Sequence, residues 1–160
     1  MKSRSTVVAY RVHTRTDSTW DRAAHIVRTN LAGAVSVADV AAWRQGLHDV
    51  VAKIPDGATF RLLVNLVHFN PLDIATHKAM RPVIPTLLAQ HGMRPALLDL
   101  FDNEHNLIVT STRGVKCTAC ANVHHDVTKM RYYQEAISKP DQAFLTDTAA
   151  AESWLASAPR

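Results

Sequence analysis

The chain has 160 residues, 47% of them hydrophobic and 20% charged, with a formal net charge of +4. That is apolar material for one substantial core at about the length of one average domain, so residues 1–160 are expected to form a single domain. The apolar runs fall far short of the roughly 20 residues that a bilayer-spanning helix needs, and no membrane span is expected.

The basic excess is confined to residues 1–30, where Lys2, Arg4, Arg11, Arg15, Arg22 and Arg28 stand against Asp17 and Asp21; residues 31–160 balance twelve against twelve. These charges are widely spaced and lack interleaved aromatics, the pattern of a solvated face, so no nucleic-acid partner is expected. The opening "MKSRSTVVAYRVHT" is basic, but Arg11 and His13 interrupt any signal-peptide core. A cytoplasmic protein with reduced thiols is the expectation.

Along the chain, "TVVAYRVH" (6–13) alternates as a strand, "TRTDSTWD" reads as a turn region, and "AAHIVRTNL" (23–31) reads as a second strand completing a hairpin. Ser36 with Asp39 is a capping-box start for a helix whose stripe is Val37, Val40, Trp43, Leu47, Val51 and Ile54. Pro55-Asp56-Gly57 stops it. "FRLLVNLV" (60–67) is apolar on both parities, as a central parallel strand should be. Residues 71–92 are helical in composition, and Pro82 and Pro85 divide them into two short helices or one kinked helix closed by Gly92. "RPALLDLFD" (94–102) is expected as the next strand, and "NLIVTST" (106–112) as a strand or a crossover helix.

"GVKCTACANVHHDVTKM" (114–130) holds a C-x-x-C pair followed by His124, His125 and Asp126. From 115 to 124 the residues alternate, Val115, Cys117, Ala119, Ala121 and Val123 on one parity against Lys116, Thr118, Cys120, Asn122 and His124 on the other. In an extended strand that parity puts Cys117 and Cys120 on opposite faces, too far apart for a disulfide or a shared metal ion. The strand is expected to end at the two histidines, with Asp126 capping a helix whose buried stripe is Val127, Met130, Tyr133 and Ile137.

If strands 60–67, 94–101 and 115–123 run parallel, their carboxyl ends share one edge, where open α/β sheets bind ligands. His68, Asn70, Asp73, His77, Asp102, His124, His125 and Asp126 all map to that edge. Helices starting near Leu72 and Val127 would aim their N-termini at it, favouring an anion. Exposed histidines titrate near pH 6.5, so anion binding there is expected to tighten as the pH falls.

The order of elements, a hairpin, "AGAVSVADVAAWRQGL", a buried "RLLVNLVHFNPLD" and the closing "FLTDTAAAESWLA", resembles the STAS superfamily, the anti-sigma factor antagonist fold, in its SpoIIAA-like branch of small bacterial proteins. The resemblance implies an α/β domain with a single mixed sheet, an N-terminal hairpin and parallel central strands, covered by helices. It also implies a phosphorylatable serine after the central strand, in an Asp-Ser-Ser-Gly-like run. Here that segment reads "NPLDIATHK": Asp73 matches the aspartate, Ile74 and Ala75 occupy the serine positions, and Thr76 is the nearest hydroxyl, out of register.

Two functions follow. The first is a non-catalytic, regulatory STAS-like module without a cofactor, binding a partner protein or a small anionic or apolar ligand at the shared edge through His68, Asn70, Asp73, His77, His124, His125 and Asp126. Homodimerisation is left open. The second is a metal protein or enzyme using Asp73, His77, His124 and His125, because Asp and His at i and i+4 of a helix can share one ion. No G-x-S-x-G, H-E-x-x-H, P-loop or dinucleotide fingerprint occurs in the chain.

Overall fold

The computed structural model describes residues 13–100 and 107–160. In chain order the elements are β1 (Ser18–Asp21), β2 (Ile26–Asn30), β3 (Gly33–Val35), α1 (Val37–Ala52), β4 (Thr59–Leu66), β5 (Phe69–Pro71), α2 (Ile74–Met80), α3 (Val83–Gln90), β6 (Lys116–His124), α4 (Val127–Ile137), β7 (Gln142–Leu145) and α5 (Thr148–Ser157). The main sheet runs β1-β2-β4-β6-β7; only the β1–β2 pair is antiparallel, so this is an α/β domain on a mixed sheet. β3 and β5 form a small parallel pair beside it.

The hairpin exists but is displaced. Segment 14–21, expected as a turn, contains β1, which pairs with β2 in register Ser18 to Thr29. The strand expected over 6–13 lies outside the described residues, apart from His13, which is not in a strand. Ser18 and Thr29 share a 2.7 Å hydroxyl hydrogen bond across the pair, and the Trp43 indole N–H donates to Thr29 Oγ1 at 2.6 Å. A buried indole donor needs such an acceptor.

α1 begins as its sequence dictates. The backbone N–H of Asp39 donates to Ser36 Oγ, the N–H of Ser36 donates to Asp39 Oδ2, and Val40, Trp43, Leu47 and Val51 are buried. Val37, expected in the stripe, is 48% exposed. The far end of α1 is held by Arg113, whose guanidinium donates to the carbonyls of Val51 and Ile54 and to Asp56. A cation is favoured at that end of a helix.

β4 lies between β2 and β6, with Phe60, Leu62 and Val64 buried on one face and Leu63 on the other. Arg61 is 3% exposed, its guanidinium donating to the carbonyls of Leu155 and Ala24. α1 and α3 cover the first face, their Trp43, Leu47, Val51, Leu87 and Leu88 packing with Val27, Leu62 and Val64. α5 covers the second through Ala151 and Leu155 on Ile26, Leu63, Ala119, Ala121 and Val123. The small alanines of β6 admit the helix close to the sheet.

The described part of the expected strand 94–102, residues 94–100, is not a strand; Ala96–Leu100 forms a 3-10 turn. The reason is the buried Gln142 of β7, whose Oε1 accepts from the N–H of Ala96 at 2.6 Å and whose Nε2 donates to the carbonyl of Arg94 at 2.9 Å. These bonds occupy backbone groups that a ladder would use. Of the three strands expected to run parallel, the described part of 94–101 therefore contributes none, and β4 pairs with β2 and β6. Residues 107–110 are irregular, Ser111 makes a single bridge to His91, and Thr112–Gly114 is a 3-10 turn, so the described part of 106–112 is neither strand nor crossover helix.

β6 occupies the expected residues but its parity breaks. Phe60 pairs with Cys117 and Arg61 with Ala119, leaving Thr118 as an extra residue in the ladder. Beyond it, Leu62 pairs with Cys120. Cys117 and Cys120 thus lie in the same core cluster, not on opposite faces, both as free buried thiols.

Candidate functional site

Strands β2, β4, β6 and β7 end at one edge, as expected for a parallel sheet, and a concavity opens beside it. Register builds its base: Val64, Asn122 and Phe144 are aligned across β4, β6 and β7, and Leu66 and His124 form the next row outward. Residues two apart share a face, so all five lie on the same side of the sheet. The corner between α2 and α3 supplies His77, Met80, Arg81, Ile84 and Pro85. Pro82 forms the corner, and Pro85 is tolerated because the first turn of a helix has no partner for its missing N–H. α4 contributes Lys129, Met130 and Tyr133, and the 3-10 turn contributes Leu97. The cavity measures about 320 Å³, within the range of small-molecule sites.

His124 is the pivotal polar group. The N–H of Asp126 donates to His124 Nδ1 at 3.0 Å, so the proton of the neutral ring sits on Nε2. Burial above all, then His125, Lys129 and His77, pushes its pKa down to about 4, with Asp126 opposing. His77 is shifted down by burial and by the charges of Lys129 and Arg81. His125 stacks on His124 with ring centroids 4.2 Å apart, and its Nδ1 donates to the carbonyl of Val67 at 3.0 Å. Burial raises the Tyr133 phenol, and the Lys129 ammonium lies 5.7 Å from that ring's centre. Against the expectation that these rings titrate near pH 6.5, burial among cations holds His124 down at about 4 and shifts His77 in the same direction.

The other expected residues are spread along the edge. The His68 carbonyl accepts from the N–H of Gly33 at 2.8 Å, joining the small sheet, and Asn70 is exposed in β5. Asp73 caps α2, accepting from the Thr76 N–H at 2.8 Å and hydroxyl at 2.7 Å, and these bonds lower its pKa. Thr76 is fully buried. Asp126 caps α4 by accepting from the Lys129 N–H at 3.0 Å. Carboxylates thus occupy both helix N-termini expected to receive an anion. Asp102 lies outside the described residues.

His77 and His124 line the cavity, whereas His68, Asn70, Asp73, His125 and Asp126 do not. Among the described residues no group of three or more His, Cys, Asp or Glu side chains could hold a metal ion. The site residues that sequence reasoning missed are Lys129, Arg81 and Asn122. Lys129 is three residues beyond the Asp126 cap and Arg81 four beyond His77, spacings that place each near an identified residue. Met130 and Tyr133 were expected as core, and here they also face the cavity. Leu72 and Ile74, 62% and 75% exposed, add apolar surface at the same edge.

No protein-family model, curated protein or solved structure matches this chain.

Proposed function

We propose that this chain is a non-catalytic, STAS-like regulatory module whose carboxyl-edge cavity receives a small ligand. The observation that carries this reading is an apolar cavity between the sheet, the α2–α3 corner and α4, with His77 and His124 at its wall. The two thiols of β6 and the Thr76 hydroxyl are already committed. Burial pushes the Cys117 thiol well up and the Cys120 thiol up to about 12, which leaves both protonated and poor nucleophiles. The Thr76 hydroxyl is buried on Asp73, a state in which a kinase cannot reach it.

The test is a thermal-shift screen of metabolites and divalent metals on the wild-type chain and on a His77→Ala, His124→Ala double variant. The expected result is a stabilising organic ligand whose effect disappears in the variant. Stabilisation by metals alone, or hits unaffected by the double substitution, would defeat the reading.

A further inference from the structure

The cavity has an internal order beyond its mere presence. Strand direction makes Val64, Asn122 and Phe144 the inner row and Leu66 and His124 the outer one. Around the inner row stand Leu97, Ile84, Pro85 and Met130; Met130 also packs with Phe144 and Ala96. The two thioethers, Met80 and Met130, adapt readily to varied apolar shapes.

Apart from Asn122 in the inner row, whose amide donates to the carbonyl of Ala143, the polar groups stand near the outer row. His124 ends β6, the Asp126 N–H donates to its Nδ1, and Asp126 in turn accepts from the N–H of Lys129 in the first turn of α4, so Lys129 is placed beside His124. Among the described lining residues the charged side chains are Lys129 and Arg81, Arg81 being engaged in an interaction of its own, while the Asp126 carboxylate acts on His124 and Tyr133 from outside the lining. A largely apolar cavity with the Lys129 ammonium at its outer end favours a ligand with an apolar body and an anionic end. His124 adds a neutral Nε2–H donor, because Nδ1 already accepts from Asp126. A carboxylate can accept from such a donor and from an ammonium at once. At about 320 Å³ the cavity lies at the lower end of the range for small-molecule sites, which limits the ligand to a small one.

We infer that the cavity binds a medium-length carboxylate, its apolar body on Val64, Phe144 and Met130 and its carboxylate near Lys129 and His124. This rests on the ligand-binding reading proposed above and adds the chemical class.

The experiment uses the full chain with ¹³C-labelled methionine methyls. Met80 and Met130 line the cavity, while the buried Met93 belongs to the main core and serves as an internal reference. Octanoate, 1-octanol and octylammonium are titrated under identical conditions. The expected result is that octanoate shifts the Met80 and Met130 methyls, leaves Met93 nearly still, and binds at least about tenfold more tightly than octylammonium. Lys129→Gln should weaken octanoate by about tenfold and leave 1-octanol within about twofold. Lys129 sits on the surface end of α4, and circular dichroism with an unchanged Tm verifies the variant's fold. If 1-octanol or octylammonium binds as tightly as octanoate, or Lys129→Gln leaves octanoate unchanged, the carboxylate assignment is overturned while ligand binding at the cavity stands. If neither lining methionine responds to any of the three probes, the cavity reading itself falls.

Discussion

Protonating His124 breaks a bond that its folded position requires. The N–H of Asp126 donates to His124 Nδ1 only while that nitrogen keeps its lone pair. Burial first, with His125, Lys129 and His77 acting in the same direction, holds the ring's pKa at about 4 against an ordinary 6.5. In the unfolded chain the ring takes up a proton as the pH falls through about 6.5, whereas the folded chain resists until about 4. Between these values the unfolded state binds more protons. The stability contribution is therefore complete above about pH 6.5, declines as the pH falls, and is gone below about pH 4. A gap of about 2.5 pH units at about 1.36 kcal/mol each sets a ceiling near 3.4 kcal/mol, and the half-buried ring's access to solvent reduces this to about 1–2 kcal/mol. The perturbation is His124→Asn, because the Asn oxygen can still accept from Asp126 but does not titrate. Urea unfolding at pH 7.5 and 5.0 should show the wild type losing about 1 kcal/mol more than the variant on acidification. Equal losses, or an NMR titration placing His124 at pH 6 or above, would refute the reasoning.

The shared environment of the two thiols predicts that neither Cys117 nor Cys120 reacts quickly with a thiol reagent in the native chain, and that both react at once in urea. Fast native labelling of Cys120 alone would restore the alternating strand and remove the irregularity at Thr118. On β4, Leu62→Ala should cost roughly 3–5 kcal/mol, because Leu62 is fully buried in the closed core. Val64→Ala should cost about 1–2 kcal/mol and clearly less than Val27→Ala, because both valines are fully buried but Val64 borders the cavity and has fewer contacts to lose; equal costs for the two valines in chemical denaturation would show that the space beside Val64 is filled.

Features governed by local chemistry were legible in the sequence. The Ser36–Asp39 box, the double-sided β4, the Pro82 break and the Asp126 cap each depend on a few consecutive residues, and each appears where those residues put it. Others depend on distant partners. β1 was hidden because Ser18 and Thr19 look like turn residues until Thr29 and Arg28 stand opposite them. The faces of Cys117 and Cys120 could not be read from alternation, since one extra residue at Thr118 reverses the parity of everything after it. Of the site, the histidines were visible as residue types at a strand end. The depressed pKa of His124 was not, because it comes from burial, His125 and Lys129, one helix turn into α4.

The cavity depends on the strand that did not form. Segment 94–100 has the composition of a buried strand, and a strand there, between β4 and β6, would have separated Leu66 from His124 by two spacings of about 4.8 Å each. With Gln142 holding Arg94 and Ala96, the segment turns above the sheet and β6 lies directly against β4. Leu66 and His124 then become neighbours in register, and His77 reaches the same cavity from α2. The 3-10 turn supplies Leu97 to the cavity wall and Ala96 as a support for Met130 of α4. The buried Gln142 of the last strand holds 94–96 out of the ladder, β4 and β6 are adjacent, and that adjacency places Val64 and Phe144 of the inner row beneath the outer row of Leu66 and His124.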